Sequence, residues 1–264
     1  MYRQQIIPNV EKRLATWLEI QERNRRLVKP GIEPISITIS REFGCQGYLL
    51  ATALQEELER ATDFNWTIFD KRLIEMISRD HQISKRLLEK LGERSKYLDY
   101  VIATLMPGWK SEEEAYRLIA RTIFSLARQG NAIFIGRGAY AVTQQLKNCF
   151  HYRLIAPMAF RVKTYAALME IDEQESDAIV QDKSSRRNHF MQDFYNSSYD
   201  GNEFHIIFNN SRMSIKTIAE TIRCSLSEVL KVNRQQKTRQ HLSKAPLPKG
   251  AVMFDILLNP LNKE

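Results

Sequence analysis

The sequence predicts an α/β protein whose five-stranded, mainly parallel sheet is covered on both faces by helices. Three observations carry this expectation. Five short apolar runs of strand length punctuate the chain, beginning at Ile37, Trp66, Ala132, His151 and Phe204. Segments with helical periodicity separate them, and strands alternating with helices build a parallel sheet between helical layers. Glycine and charged residues gather just after the runs while the runs stay apolar, and it is beyond such strand ends that open α/β sheets bind ligands.

The elements follow in order. Residues 9–27 read as an amphipathic helix with Val10, Leu14, Trp17, Leu18 and Leu27 near one face. Pro30, Gly31 and Pro34 end it and lead into the first strand. A turn containing Gly44 and Gly47 then gives way to helical periodicity over 47–60. Further strands are expected at 66–69, 132–135, 151–155 and 204–208. Helices are expected at 70–79, 83–106, 112–129, 139–146, 157–170, 174–195 and 214–231. The stretch 83–129 is a long helical insertion, broken at Met106, Pro107 and Gly108, that would cover the sheet or wall an acceptor site. Residues 233–250 are polar, basic and proline-containing, as in a linker or tail. The segment 251–258 is apolar enough to dock, for instance on a second subunit. The chain thus divides into an N-terminal helical extension (1–33), a main domain (34–232) and a basic C-terminal tail (233–264).

With 264 residues and a 43% apolar fraction, the chain can bury a substantial core. It contains no apolar run long enough to span a membrane, and its N-terminus lacks a signal-peptide core, so the expected location is cytoplasmic. Three widely spaced cysteines, Cys45, Cys149 and Cys224, make neither a disulfide framework nor a zinc site. Cys149 falls near a strand start and Cys224 on a helix. Cys45 lies in the functional-looking loop, either with its pKa lowered by amide dipoles or, the favoured reading, as a small residue tolerated in a tight turn. The net charge of +8 resides at the chain ends: residues 231–249 hold six Lys/Arg and no acid. A basic nucleic-acid-binding body is therefore not indicated, and no aromatic residues interleave the tail's charges.

The chemistry concentrates where the strands end. The run from Ile37 to Ala51 passes from strand through a glycine-containing turn into a helix, the layout in which backbone amides and a helix N-terminus cradle phosphate. The usual phosphate-loop pattern, G-x-x-x-x-G-K-[ST], is absent, because Tyr48 and Leu49 follow Gly47. Arg41, Arg72 and Arg137 stand at successive strand ends, as fixed donors for phosphate would. Gly136 and Gly138 flank Arg137 and let the chain turn sharply there. The run Asp182-Lys-Ser-Ser-Arg-Arg187 is rich in charge, as an exposed helix or a lid closing over phosphates would be. The segment near 174–200 is the expected lid, with Phe190, Phe194 and Tyr195 as its packing anchor. The five histidines show no ligand spacing, and His151 and His205, at strand starts, suit a buried structural role.

The order of these motifs resembles the cytidylate kinase-like family of P-loop proteins. The matching pieces are Ile37-Thr-Ile-Ser-Arg-Glu-Phe-Gly44, Phe69-Asp-Lys-Arg-Leu-Ile74 and Ile133-Phe-Ile-Gly-Arg-Gly-Ala139. They continue with Tyr152-Arg-Leu-Ile-Ala-Pro157, Arg161-Val162, Asp182-Lys183 and Phe204-His-Ile-Ile-Phe-Asn-Asn210. The resemblance implies a P-loop kinase-like three-layer sandwich and transfer of the ATP γ-phosphoryl group to a nucleoside monophosphate, CMP or dCMP favoured. It implies ATP and Mg²⁺ as cofactors, with no residue assignable to the metal. Gly44, Cys45, Gln46, Gly47 and Tyr48 would hold donor phosphates through their amides. Arg41, Arg137, Arg186 and Arg187 would supply catalytic charge. Asp70, Arg72, Arg161 and Asp182 would face the acceptor or belong to the lid.

The family's true cytidylate kinases carry Gly-Lys-Gly-Thr where this chain has Gln46-Gly47-Tyr48-Leu49, and the arginine expected three residues after Asp182 is Ser185. Two functional readings therefore stand: a phosphotransferase whose arginines replace the loop lysine, and a nucleotide sensor or interaction protein on a kinase scaffold. Nucleotides are the expected partners of both, with a homodimer through the N-terminal helix or C-terminal segment as a further option.

Overall fold

The central strand shows why the sheet forms as it does. Ile35, Ile37 and Ile39 alternate with Ser36, Thr38 and Ser40, and all six are buried. A two-residue period sends the isoleucines to one face and the hydroxyls to the other. A computed structural model describes residues 10–27, 34–62, 64–79, 114–195, 201–227 and 229–230 of this protein. Its strands are β1 (Ser36–Arg41), β2 (Thr67–Phe69), β3 (Ala132–Ile135), β4 (Cys149–Ile155) and β5 (Ile206–Asn209). They form one sheet in the order β2-β3-β1-β4-β5, with every pairing parallel.

Eight helices surround the sheet among the described residues: α1 (Val10–Leu27), α2 (Gly47–Ala61), α3 (Lys71–Arg79), α4 (Glu114–Gln129), α5 (Ala139–Thr143), α6 (Met158–Met169), α7 (Glu173–Tyr195) and α8 (Ile215–Ser225). The isoleucine face of β1 packs with Leu50, Leu54 and Leu58 of α2 and Ile218, Ala219 and Ile222 of α8. A second apolar cluster joins Phe134 to Leu73, Ile74 and Ile77 of α3 and Ile123, Phe124 and Ala127 of α4. Core on both sides of a parallel sheet is the three-layer sandwich the sequence predicts. No helix among the described residues is long and apolar enough to cross a membrane.

The hydroxyl face of β1 stays buried because each group finds a partner. Ser36 Oγ donates to the Ala127 carbonyl at 2.8 Å, and Thr38 Oγ1 shares a 2.8 Å hydrogen bond with His151 Nδ1. Ser40 Oγ accepts from Arg187 Nη2 at 3.1 Å.

The N-terminal helix packs on its own chain. Trp17 is buried in the α3–α4 cluster and meets Phe69 edge to face at 5.7 Å, while Phe69 stacks on Phe134 at 5.2 Å. Gln21 donates to the Gly130 carbonyl at 3.2 Å and fixes the helix to the turn before β3.

Boundaries moved where side chains compete for backbone groups. Trp66 falls outside β2, since its amide donates to Glu59 Oε1 at 2.9 Å. β5 starts at Ile206 rather than 204, with Phe204 packed against Tyr140 at 4.8 Å. α5 stops at Thr143, whose hydroxyl donates back to the Ala139 carbonyl at 2.7 Å. The expected helix at 83–106, the break at Met106 and the basic tail lie outside the described residues.

Candidate functional site

At the carboxyl end of the sheet lies a crevice of about 610 Å³. Its floor is the end of β1, from Thr38 to Arg41. One wall is the loop Glu42–Tyr48 and the other the turn from Ile135 to Tyr140, with α6 and α7 above. The crevice lies at the adjacent ends of β1 and β3, whose connections leave in opposite directions, β1 towards β2 and β3 towards β4, which is where an open parallel sheet binds ligands.

The loop is shaped by close approach. Gly44 has φ +92, and a β-carbon there would fall 2.8 Å from Arg161 Cβ. Gln46 adopts a left-handed conformation at the start of α2, with no side-chain cap on the helix. The first amides of a helix without a cap are donors for an anion, strengthened by the helix dipole. Cys45 is buried within this loop; burial, with the Glu42 carboxylate, pushes its thiol up to about 12. It is a packing residue, since the thiolate is the reactive form.

Six cations line the crevice: Arg41, Lys71, Arg137, Lys183, Arg186 and Arg187. They come from the β1 end, α3, the β3–α5 turn and α7, segments brought together only by the fold. The Arg41 side chain passes between two glycines. A β-carbon at Gly47 would lie 3.1 Å from Arg41 Cγ and Cδ, and one at Gly136 would collide with Arg41 Nη1. Arg137 lies in a left-handed run, with φ 71, 54 and 62 at Gly136, Arg137 and Gly138. Its guanidinium pairs with Glu75 of α3 and lies 6.0 Å from the Phe190 ring centroid. Arg187 reaches down from α7 to Ser40 at the strand end.

The remaining sequence-expected residues occupy the surroundings of the crevice. Arg161 is buried behind the loop, its Nε donating to the Ala156 carbonyl at 3.1 Å and its Nη1 to Phe43 O and Ser184 Oγ at 3.3 and 3.1 Å. It clamps α6 to the loop and to α7. Asp70 caps α3, accepting the Leu73 amide at 2.8 Å. Arg72 is exposed and outside the lining, whereas its neighbour Lys71 is in it. Asp182, also outside the lining, pairs with Arg186 Nε at 2.8 Å. Lys71 and Lys183 are lining cations that the motifs include without singling out. The signal for Lys71 was Asp70 itself: a capping aspartate fixes the first helical residue one position later.

Apolar surface completes the crevice. Tyr140, Phe190 and Met191 contribute from the α5–α7 side and belong to a small cluster with Phe204. Thr164, Tyr165 and Leu168 of α6 contribute from another, where Tyr165 packs on Phe43 at 5.0 Å. Such surfaces suit the faces of planar bases.

The donor set does not suit Mg²⁺. No cluster of His, Cys, Asp and Glu among the described residues could hold a metal ion. The crevice's carboxylate, Glu42, accepts the Ala156 amide at 3.0 Å and stands 3.6 Å from Arg161 Nε. Mg²⁺ is usually held by one or two carboxylates together with substrate phosphates and waters, and the carboxylate in the described lining, Glu42, is already engaged.

The sequence model of the cytidylate kinase-like family matches residues 36–212, from the start of β1 to just beyond β5. The chain belongs to the cytidylate kinase-like family. A cytidylate kinase-like chain is expected to share its fold with proteins of little sequence identity. The crystal structure of an uncharacterized protein from Eubacterium ventriosum ATCC 27560 is similar at a TM-score of 0.59 and 16% identity, covering 74% of this chain and 99% of that one. A shikimate kinase from Bacteroides thetaiotaomicron superposes more loosely, at a TM-score of 0.42 and 14% identity over 73% of this chain and 98% of that one. Among curated proteins, no relative matches the sequence.

Proposed function

We propose that the protein is a nucleotide-binding phosphotransferase that moves the ATP γ-phosphoryl group to a nucleoside monophosphate, with CMP or dCMP favoured. One observation carries the reading: six cations from four separate segments line a crevice beside an uncapped helix N-terminus. Catalysis of phosphoryl transfer consists mainly of positioning and of stabilising charge on the transferring group. The amides from Gly44 to Tyr48 bind donor phosphates. Arg41, Arg137, Arg186 and Arg187 neutralise the charge that builds on the leaving β-phosphate oxygen as the γ-phosphoryl group passes to the acceptor's oxygen, with Lys71 and Lys183 as added donors. The helix α7 acts as the lid that carries three of these cations. Arg161 and Asp182 hold the loop and the lid in place, Asp70 orients α3 with its Lys71, and Arg72, exposed beside Lys71, reaches the acceptor.

A second reading rests on a specific observation. Where the usual phosphate loop carries lysine and then serine or threonine after its last glycine, Tyr48 and Leu49 follow Gly47 as exposed side chains of α2. A protein that binds nucleotide and couples it to another partner needs the cradle without the lysine. Thermal-shift screening of ATP, GTP and the common monophosphates, followed by a phosphoryl-transfer assay on the ligands that stabilise, separates the two. Turnover with CMP or another monophosphate supports the enzyme; saturable binding without transfer supports the sensor.

A further inference from the structure

We infer that this crevice neutralises a polyphosphate with its own guanidinium and ammonium groups, and so prefers a nucleoside triphosphate free of magnesium to its magnesium complex. The inference rests on the reading of the ligand as a nucleotide and goes beyond it by naming the ionic form.

The charge count favours the free anion. Around the crevice stand Arg41, Lys71, Arg137, Lys183, Arg186 and Arg187, with Arg161 just behind. Against them among the described residues are four carboxylates: Glu42 in the lining, Glu75 on Arg137, Asp182 on Arg186 and Asp70 beside Lys71. Positive charge is thus in clear excess among the described residues. A triphosphate stripped of magnesium is more negative by the full charge of the ion, so the free form gains more from that excess. Guanidinium groups match phosphate oxygens in fixed two-pronged geometry, which partly replaces what a metal would supply.

The oxygen ligands point the same way. Leu49, at the position of the family's hydroxyl residue, is an apolar side chain 50% exposed to solvent. Of the hydroxyls in the lining, Ser40 Oγ at the end of β1 already accepts a hydrogen bond from Arg187. A dication brought to that oxygen would sit beside a guanidinium and be repelled. Glu42 is drawn towards Arg161 and the Ala156 amide. A metal carried in on the phosphates would therefore gain little from these described oxygens, while removing charge that the arginines attract.

Isothermal titration calorimetry on the full chain tests this, with ATP in EDTA and ATP in excess MgCl₂ at matched ionic strength. Inorganic tripolyphosphate, measured in both media, serves as a base-free probe. The expected result is binding of ATP in EDTA at least threefold tighter than in MgCl₂. In Arg187→Ala and Lys183→Ala that advantage should shrink towards parity, because the removed charge contributes more to the more negative ligand. Tighter binding in MgCl₂, or absence of binding by both ATP and tripolyphosphate in EDTA, overturns the inference. Tripolyphosphate that binds more tightly in EDTA than in MgCl₂ while no nucleotide binds upholds the anion preference and removes the nucleotide reading instead.

Discussion

Arg41 and Gly136 compete for one volume: the guanidinium at the end of β1 fills the space that a β-carbon on the neighbouring strand's turn would need. Gly136 also has φ +71, a conformation that an L-residue adopts only with strain. Gly136→Ala should therefore destabilise the fold by roughly 2 kcal/mol and push Arg41 out of the crevice, weakening nucleotide binding as well. Chemical denaturation and titration with ATP read the two effects. Unchanged stability with unchanged affinity would show that the guanidinium moves aside freely.

Removing the Arg187 guanidinium and removing its partner are different experiments. Arg187→Ala should lower ATP affinity about tenfold, the scale of one charge-assisted hydrogen bond to phosphate. Ser40→Ala should change it less than threefold, because the cation stays and merely loses a neutral partner. Equal losses would place the effect in the position of α7 rather than in charge.

Asp70 separates a structural role from a role at the acceptor. Its carboxylate caps α3 at the Leu73 amide, and asparagine caps a helix about as well. Asp70→Asn should keep the melting temperature, whereas Asp70→Ala should cost about 1 kcal/mol. An Asp70→Asn variant with normal stability and a raised KM for the monophosphate alone would show that the charge meets the acceptor.

The His151–His205 pair makes stability depend on acid. Burial, then the neighbouring His205, lowers the His151 pKa from 6.5 to about 4; burial lowers His205 too. A histidine buried neutral binds its proton more readily in the unfolded chain, so stability is full above about pH 6.5 and falls as pH drops towards 4. The loss attributable to His151 is on the order of 3 kcal/mol. The facing groups are Thr38, which bonds His151 Nδ1, with Lys147, Glu203 and Cys149 around the same cleft. Denaturation curves at pH 7 and pH 4.5 should differ, and His151→Gln should reduce that difference. A difference of the same size in the variant would assign it to other groups.

Trp17 tests whether the first helix belongs to the domain. It is buried against Phe69 and the α3–α4 cluster, so Trp17→Ala should cost about 3–5 kcal/mol. Loss of less than 1 kcal/mol, measured by urea unfolding, would show that the helix docks only weakly on the sheet.

Much of the fold was legible because it depends on local patterning. The strand Ala132–Ile135 ends where its apolar run ends, since the next residue is a glycine in a left-handed turn. The assembly of Arg41, Arg137 and Arg187 around a phosphate-type loop was legible too, as charges placed after strands and on one helix. What side chains do to each other was less so. No pattern announces that Arg161 points behind the loop onto three carbonyl and hydroxyl oxygens, or that Glu75 reaches Arg137 from another helix. Such contacts arise between segments far apart in sequence, and spacing along the chain carries no record of them. Lys71 stands one residue from Arg72, and its place in the lining is readable from helix phase.

The strand order has a consequence during synthesis. β1 lies between β3 and β4, both made later. Arg41 leaves the ribosome about ninety residues ahead of Ala132, a wait of roughly 5–20 s at ordinary elongation rates. For that interval the strand destined for the centre of the sheet has no partner, and its apolar residues invite pairing with other chains. The alternation that places Ser36, Thr38 and Ser40 between the isoleucines halves its apolar density. The three hydroxyls that later bond Ala127, His151 and Arg187 thus also temper the nascent strand's tendency to aggregate.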